Sequence, residues 1–413
     1  MTKACQMTLF EDELVNTPST EGIKYAGSKR KLLPKILELA KKTGAKTVLD
    51  GFAGSTRVSQ AFAKSGYRVI CNDISIWSQT FGNCYLLNRA SRSSYVELIN
   101  HLNRLKPKDG WFTQHYGASA DHCDLGAGSL KKPWQIHNTR KLDAIRDEID
   151  ELSLSVTEKA VAMTSLILGM DRVDSTLGHY VSYLKDWSPR SFNELRLEVP
   201  AVSPNEKDHT VLKQDILLSD PVEADLAYYD PPYGSNNEKM PPSRVRYASY
   251  YHVWTSIILN DKPPLFGKAL RRKDTSDRVA TTAFEEFRRN PETNRFIAIE
   301  AIESLIKNTK AKWVMLSYSS GGRATADELN EILHKNGRVV EAVELDHKRH
   351  VMGSMKWTHD WVREAEEPNR EFLFLLKKKR DLSDSRFLRN PLGSDRDFRT
   401  ILKRPKQTYS LFW

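Results

Sequence analysis

The sequence contains no apolar run long enough to span a bilayer. Its first residues, MTKACQMTLFEDE, lack the apolar core of a signal peptide. A membrane-embedded or exported protein is therefore not expected, and the expected compartment is the cytoplasm. Cysteine is scarce: Cys5, Cys71, Cys84 and Cys123 are irregularly spaced, which fits reduced thiols better than a disulfide frame. Pairs of the form C-x-x-C or H-x-x-x-H are missing, so His115, His122, Cys123 and His137 are read as polar loop residues and no metal is expected. The G-x-G-x-x-G of dinucleotide sites is missing as well, which argues against a phosphate cradle.

What is present is a globular composition. A chain of 413 residues is too long for most single cores, so one large domain with an insertion or a second small domain is expected. The hydrophobic share of 39% is modest, but 9% aromatic residues argue against wholesale disorder. Basic residues outnumber acidic ones by 63 to 53, a net charge of +10. Such an excess favours a polyanionic partner, because Lys and Arg that neutralise phosphates release counterions.

The chain begins with a polar, acidic stretch, 1–20, read as a flexible arm. From Lys29 the segment KRKLLPKILELAKK carries Leu33, Ile36, Leu37 and Ala40 at helical spacing. TVLDGFAGSTRVSQAFAKSGYRVICNDI then supplies a strand, a glycine-bearing turn, an amphipathic helix and a second strand ending in an acid. Residues 76–204 are rich in helix formers and poor in strand signals, and read as a largely helical insertion. Strands resume with HTVLKQDILL, DLAYYDPPYG, AKWVMLSYSS, RVVEAVELDH and EFLFLLKKK, with helices at FIAIEAIESLIKNT and ATADELNEILHKNG. The alternation predicts an α/β fold with an open, mainly parallel sheet and a ligand beyond the carboxyl ends of its strands.

Two constellations carry chemistry. Asp50-Gly51-Phe52-Ala53-Gly54-Ser55 lies where a strand breaks into a helix, and Asn72-Asp73 ends the next strand. Small residues let the backbone approach a ligand, and an acid after the second strand can bind both ribose hydroxyls, so a nucleoside cofactor is implied. Asp230-Pro231-Pro232-Tyr233 follows the apolar strand DLAYY. Two prolines fix the backbone and remove N–H donors, which leaves a carboxylate and carbonyls as an acceptor cluster beside an aromatic ring. Such a cluster suits an amino group. Hydrogen bonds from an exocyclic amine to Asp230 and the Pro231 carbonyl would help free its lone pair, with Tyr233 stacked on the base.

In this order the motifs resemble those of the Dam-type DNA adenine-N6 methyltransferases, the alpha group with a D-P-P-Y motif, over roughly residues 21–75 and 205–380. Lys24-Tyr25-Ala26-Gly27-Ser28-Lys29 is similar to that family's K-W-x-G-G-K, with Tyr for Trp and Ser for the second Gly. Gly51 stands where Pro is usual, and Thr56 where another Gly is common. The resemblance implies a Rossmann-like class I methyltransferase sheet (21–75 and 205–380), an inserted helical target-recognition domain (76–204) and a tail (381–413). It implies S-adenosyl-L-methionine as cofactor, with Tyr25 and Lys29 at its methionine end and Asp50, Phe52 and Gly54 at the turn. Asp73 would then hold the ribose and Asp215 the adenine, with catalysis at Asp230 to Tyr233. No Pro-Cys nucleophile pattern is evident, so direct displacement rather than covalent base attack is expected.

Double-stranded DNA is the expected substrate, in a bacterial or phage restriction-modification or orphan modification system. The base must leave the helix to reach Tyr233. Candidate DNA contacts are Lys131, Lys132, Trp134, Arg140 and Arg190 in the insertion, then Tyr250, Tyr251, His252 and Trp254, then Arg349 and His350 between two late strands. The aromatic run after the catalytic motif reads equally as pocket or as core. Gln6-Met7-Thr8-Leu9-Phe10 resembles the short peptide by which bacterial proteins dock on the sliding clamp, and Gln407 to Phe412 is a looser echo. N4-cytosine methylation, RNA or protein amide methylation, and a DNA-binding module with a dead pocket remain as alternative readings.

Overall fold

The computed structural model describes residues 17–119, 132–184, 186–233, 247–276, 282–286, 288–346 and 370–379. These fall into two compact units, one within 1–41, 46–216 and 245–281, the other within 42–45, 217–244 and 282–413.

The first unit is built on three parallel strands, β1 (Thr47–Asp50), β2 (Arg68–Asp73) and β3 (Thr210–Lys213), with β2 in the middle. Val48 lies opposite Val69 and Leu49 opposite Ile70, so the apolar runs of β1 and β2 stack in register. Helix α1 (Leu33–Thr43) buries Leu33, Ile36, Leu39 and Ala40. The observed stripe thus takes Leu39 where the sequence spacing suggested Leu37, which rotates the buried face about the helix axis toward Leu39. Helix α2 (Arg57–Lys64) connects β1 to β2.

After β2 come α3 (Ile76–Tyr85), α4 (Val96–Arg104), a short helix Trp111–Tyr116, α5 (Ile136–Glu151) and α6 (Val156–Arg172). Gly82 of α3 lies so near β3 that an added Cβ would stand 2.8 Å from Val211, a close approach that a larger residue would spoil. Ser155 and Glu158 form a capping box that starts α6. From Ala160 to Asp171 every residue of α6 is buried, as expected of a helix surrounded on all sides. Helix α7 (His252–Leu259) belongs to this unit too.

The second unit carries β4 (Ala224–Tyr229), β5 (Ala311–Ser319), β6 (Gly337–Asp346) and β7 (Arg370–Lys378). β4 pairs with β5 in parallel, whereas β7 is antiparallel to both β5 and β6. Helices α8 (Ile297–Asn308) and α9 (Ala326–Asn336) connect these strands, α9 starting at a Thr325/Glu328 capping box. β4 is buried continuously from Leu226 to Tyr229, the mark of a strand covered on both faces. The chain is thus mixed α/β with mostly parallel strand pairing, the pattern expected of a Rossmann-like methyltransferase. Among the described residues no helix is long and apolar enough to cross a membrane.

Candidate active site

In the first unit, the loop after β1 is fastened to the end of β2. The Gly54 N–H donates to Asp73 Oδ2 at 2.8 Å, and the Ala53 N–H to the Asn72 carbonyl at 2.9 Å. Asp73 Oδ1 accepts from the Ser75 N–H at 2.9 Å and the Ser75 hydroxyl at 2.6 Å. Burial raises the Asp73 pKa, and these donors oppose it without cancelling it. Gly54 has φ +48, and an added Cβ would stand 3.0 Å from the Tyr25 ring. Thr56 also sits in the left-handed region, φ 60, at the head of α2. A threonine there costs on the order of 1–2 kcal/mol, which gives a physical reason for the glycine that the Dam-type pattern often has at this position. Asp50 is buried and accepts the Ser59 hydroxyl at 2.6 Å. Phe52 is half-buried, and Asp215 follows the end of β3, where the Gln214 N–H donates to the Asp73 carbonyl at 3.1 Å.

Tyr25 brings the 24–29 segment onto this loop. Its ring stacks on Tyr251 (5.0 Å between centroids) and Tyr247 (5.3 Å), with Trp77 tilted at 5.6 Å. The Ala26 N–H donates to the Tyr251 hydroxyl at 2.7 Å. Lys29 is buried, its Nζ donating to the Gly27 carbonyl at 3.3 Å. Lys24 is tied to the end of α6: its N–H donates to Asp171 at 3.0 Å and its Nζ pairs with the fully buried Asp174 at 2.6 Å. Burial and the nearby Asp174 push the Asp171 carboxyl up to about 7, against the pull of Lys24. A nucleoside cofactor fits this arrangement: bare backbone at Gly54, an aromatic ring over it, and an acid at the end of β2 that is already braced.

In the second unit, β4 delivers Asp230, Pro231, Pro232 and Tyr233. The Tyr233 carbonyl accepts from the Arg323 N–H at 2.7 Å and the Tyr318 hydroxyl at 3.3 Å. Tyr318 is itself held by the Ala324 N–H at 2.9 Å, and its ring meets that of Tyr233 at 4.9 Å and 61°. The Tyr233 hydroxyl donates to Asp230 Oδ1. Ser317 Oγ lies 3.3 Å from the same hydroxyl and Glu371 Oε2 3.4 Å from it. Burial first, and then the charges of Asp230 and Glu371, push the Tyr233 phenol well above its usual pKa, so it stays protonated. Chemically, the segment offers a carboxylate and carbonyls on a backbone that cannot easily shift.

The candidate DNA contacts are placed differently from one another. Lys132 donates to the His115 carbonyl at 2.8 Å, and burial lowers its pKa. Arg140 pairs with Asp109 at 2.7 Å. Arg190 pairs with Asp174 at 2.8 Å and donates to the Thr176 carbonyl at 2.6 Å. Tyr250, Tyr251, His252, Trp134 and Trp254 are buried. His252 Nε2 lies 3.0 Å from the Tyr180 carbonyl, and burial lowers its pKa to about 3, which keeps it neutral. Lys131, Arg349, His350, Gln6 to Phe10, Gln407 to Phe412, His122 and Cys123 lie outside the described residues.

Sequence reasoning missed several supports. Ser75, two residues after Asp73, was a visible candidate because serine caps an acid locally. Glu371 heads the apolar strand EFLFLL, where a charge is out of place. Asp171, Tyr318 and the Arg323 N–H left no such signal.

Residues 25–312 match the family described as D12 class N6 adenine-specific DNA methyltransferase. The modification methylase StsI of Streptococcus sanguinis is 29% identical over 332 residues, 75% of this chain and 46% of that protein. The type II methyltransferase M.NlaIII of Neisseria lactamica is 26% identical over 337 residues, 79% of this chain and 92% of that protein. The modification methylase LlaI of Lactococcus lactis subsp. lactis is 28% identical over 333 residues, 76% and 49% respectively. The chain therefore spans about half the length of StsI and LlaI and nearly all of M.NlaIII.

Proposed function

We propose, from the premise that this chain belongs to the D12 class N6 adenine-specific DNA methyltransferase family, that it methylates N6 of adenine in double-stranded DNA within a restriction-modification or orphan modification system. The observation that carries the reading is the Asp230–Tyr233 segment, fixed by two prolines and by the Arg323 and Tyr318 bonds to its last carbonyl. An adenine amine is a poor nucleophile because its lone pair is conjugated with the ring. In this reading Asp230 and the Pro231 carbonyl accept its N–H groups, and Tyr233 packs on the extruded base.

S-adenosyl-L-methionine, when bound, supplies an electrophilic methyl group. Tyr25 and Lys29 would hold its methionine end, Asp73 its ribose and Asp215 its adenine, with Asp50, Phe52 and Gly54 shaping the turn between them. The protein's further contribution is alignment of amine, carbon and sulfur. The helices of 76–204 would recognise the target as an inserted domain, and Lys131, Arg349 and His350 would meet the DNA. Lys132, Arg140 and Arg190 would meet it with the N–H groups left over by the carbonyl and carboxylate partners described above. The cytoplasm of a bacterial or phage-infected cell is the proposed compartment. Sliding-clamp docking through Gln6 to Phe10 is proposed as well, and unchanged retention on purified clamp after deletion of the first ten residues would dispose of it.

Mass spectrometry of nucleosides from treated DNA tests the reaction: N6-methyladenine is expected, and methylcytosine without methyladenine would overturn it. Asp230→Ala is expected to abolish transfer while sparing cofactor binding, and Asp73→Ala mainly to weaken the cofactor. Equal loss of cofactor affinity in both variants, read by calorimetry, would show that the roles are misassigned.

A further inference from the structure

We propose that Glu371 is a positioning residue for methyl transfer, receiving the Tyr233 hydroxyl when the substrate amine claims Asp230. The inference rests on the reading of Asp230 as the acceptor of the amine. A phenol carries one proton and can donate to one acceptor at a time, yet three side-chain oxygens surround this one. Asp230 Oδ1 holds it in the structure, with Ser317 Oγ at 3.3 Å and Glu371 Oε2 at 3.4 Å. An Asp230 that already accepts the phenol is a weaker acceptor for an incoming N–H. The phenol in turn cannot stay buried without a partner. A small swing to Glu371 resolves both: the proton stays on the phenol oxygen, and Asp230 faces the amine with its lone pairs available.

The strand register places Glu371 for this task. In the antiparallel pairing of β7 with β5, Glu371 lies opposite Ser319 and Leu373 opposite Ser317. The two-residue period therefore puts the Glu371, Ser317 and Ser319 side chains on one face of the ladder. From Phe372 to Leu376 the strand is apolar, with Leu373, Phe374, Leu375 and Leu376 all buried, while Glu371 itself is only 6% exposed. A carboxylate withdrawn from water to this degree needs polar partners, and the Tyr233 hydroxyl stands within reach as one of them. The Tyr233 main chain does not take part in the swing, because its carbonyl is held by Arg323 and Tyr318. Only the ring and hydroxyl need move.

The test uses the full chain, tritiated S-adenosyl-L-methionine and genomic DNA from a strain lacking adenine methylation. Glu371→Gln is expected to lower kcat by about tenfold, the scale of one charge-assisted hydrogen bond, with KM for both substrates and the unfolding midpoint unchanged. Tyr233→Phe removes the hydroxyl that Glu371 acts through, so adding Glu371→Gln to it is expected to cost nothing further. Additive losses, a loss expressed in KM, or full activity of Glu371→Gln would each overturn the hand-over. Should the Gln variant not fold, Glu371→Asp, which keeps the charge and shortens the reach, carries the same kcat and non-additivity expectations. Wild-type protein that labels no adenine would sink the reading of the site and this inference with it. Active wild type with an additive cycle sinks this inference alone.

Discussion

Gly54 sits at φ +48 with the Tyr25 ring 3.0 Å from where a Cβ would be, so an alanine there must strain the backbone and push the ring at once. Left-handed backbone at a non-glycine costs on the order of 1–2 kcal/mol, about a tenfold change in an equilibrium. Gly54→Ala is therefore expected to weaken S-adenosyl-L-methionine binding by roughly tenfold or more in calorimetry. Unchanged affinity would show that the loop does not approach the ligand. At this scale the sequence was readable where a residue type announces its constraint. Proline before an aromatic, glycine in a turn and an acid at a strand end each have few alternative uses. Tyr251 was not readable in this way: its hydroxyl accepts the Ala26 N–H from 225 positions away, and nothing in a run of tyrosines tells which ring reaches so far.

Among the elements, the end of α6 joins charge to the 24–29 segment. Asp171 and Asp174 lie in and just past its last turn and hold Lys24, the neighbour of Tyr25. With its pKa raised from 3.8 to about 7, Asp171 keeps a proton in the folded state that the unfolded chain releases across that interval. The native state then binds more protons, so this group's contribution to stability falls as pH rises and is fully lost above about 7. Asp171→Asn is expected to gain stability relative to wild type between about pH 5 and about pH 8, read from unfolding midpoints across that range. A difference that stays flat with pH would refute the assignment. The elements themselves were legible, because β4 and β5 carry unbroken apolar runs and α8 and α9 carry amphipathic ones. The Leu37-to-Leu39 shift in α1 reflects tertiary packing choosing between two leucines that periodicity ranks alike.

For the whole molecule, the +10 net charge should be felt in DNA binding. Affinity for duplex DNA is expected to fall by at least about tenfold between roughly 50 and 200 mM salt, linearly on a log–log plot, because each counterion released from a neutralised phosphate gains less free energy in a saltier solution. Salt-independent binding would argue against a phosphate-led interface. The grouping into two compact units was the least legible level. Residues 247–276 join the first unit through rings such as Tyr247 and Tyr251 against Tyr25, and ring packing at long sequence separation leaves no periodic trace.

The latch on the Tyr233 carbonyl has a consequence for engineering. The tetrapeptide's rigidity is borrowed from Tyr318, 85 positions on, and from the neighbouring Arg323 N–H, while its hydroxyl environment comes from Glu371, 138 positions on. Moving only the four residues into another scaffold would carry the letters of the motif without its stiffness. A working graft must bring β4, β5 with the turn after it, and β7 as one cassette.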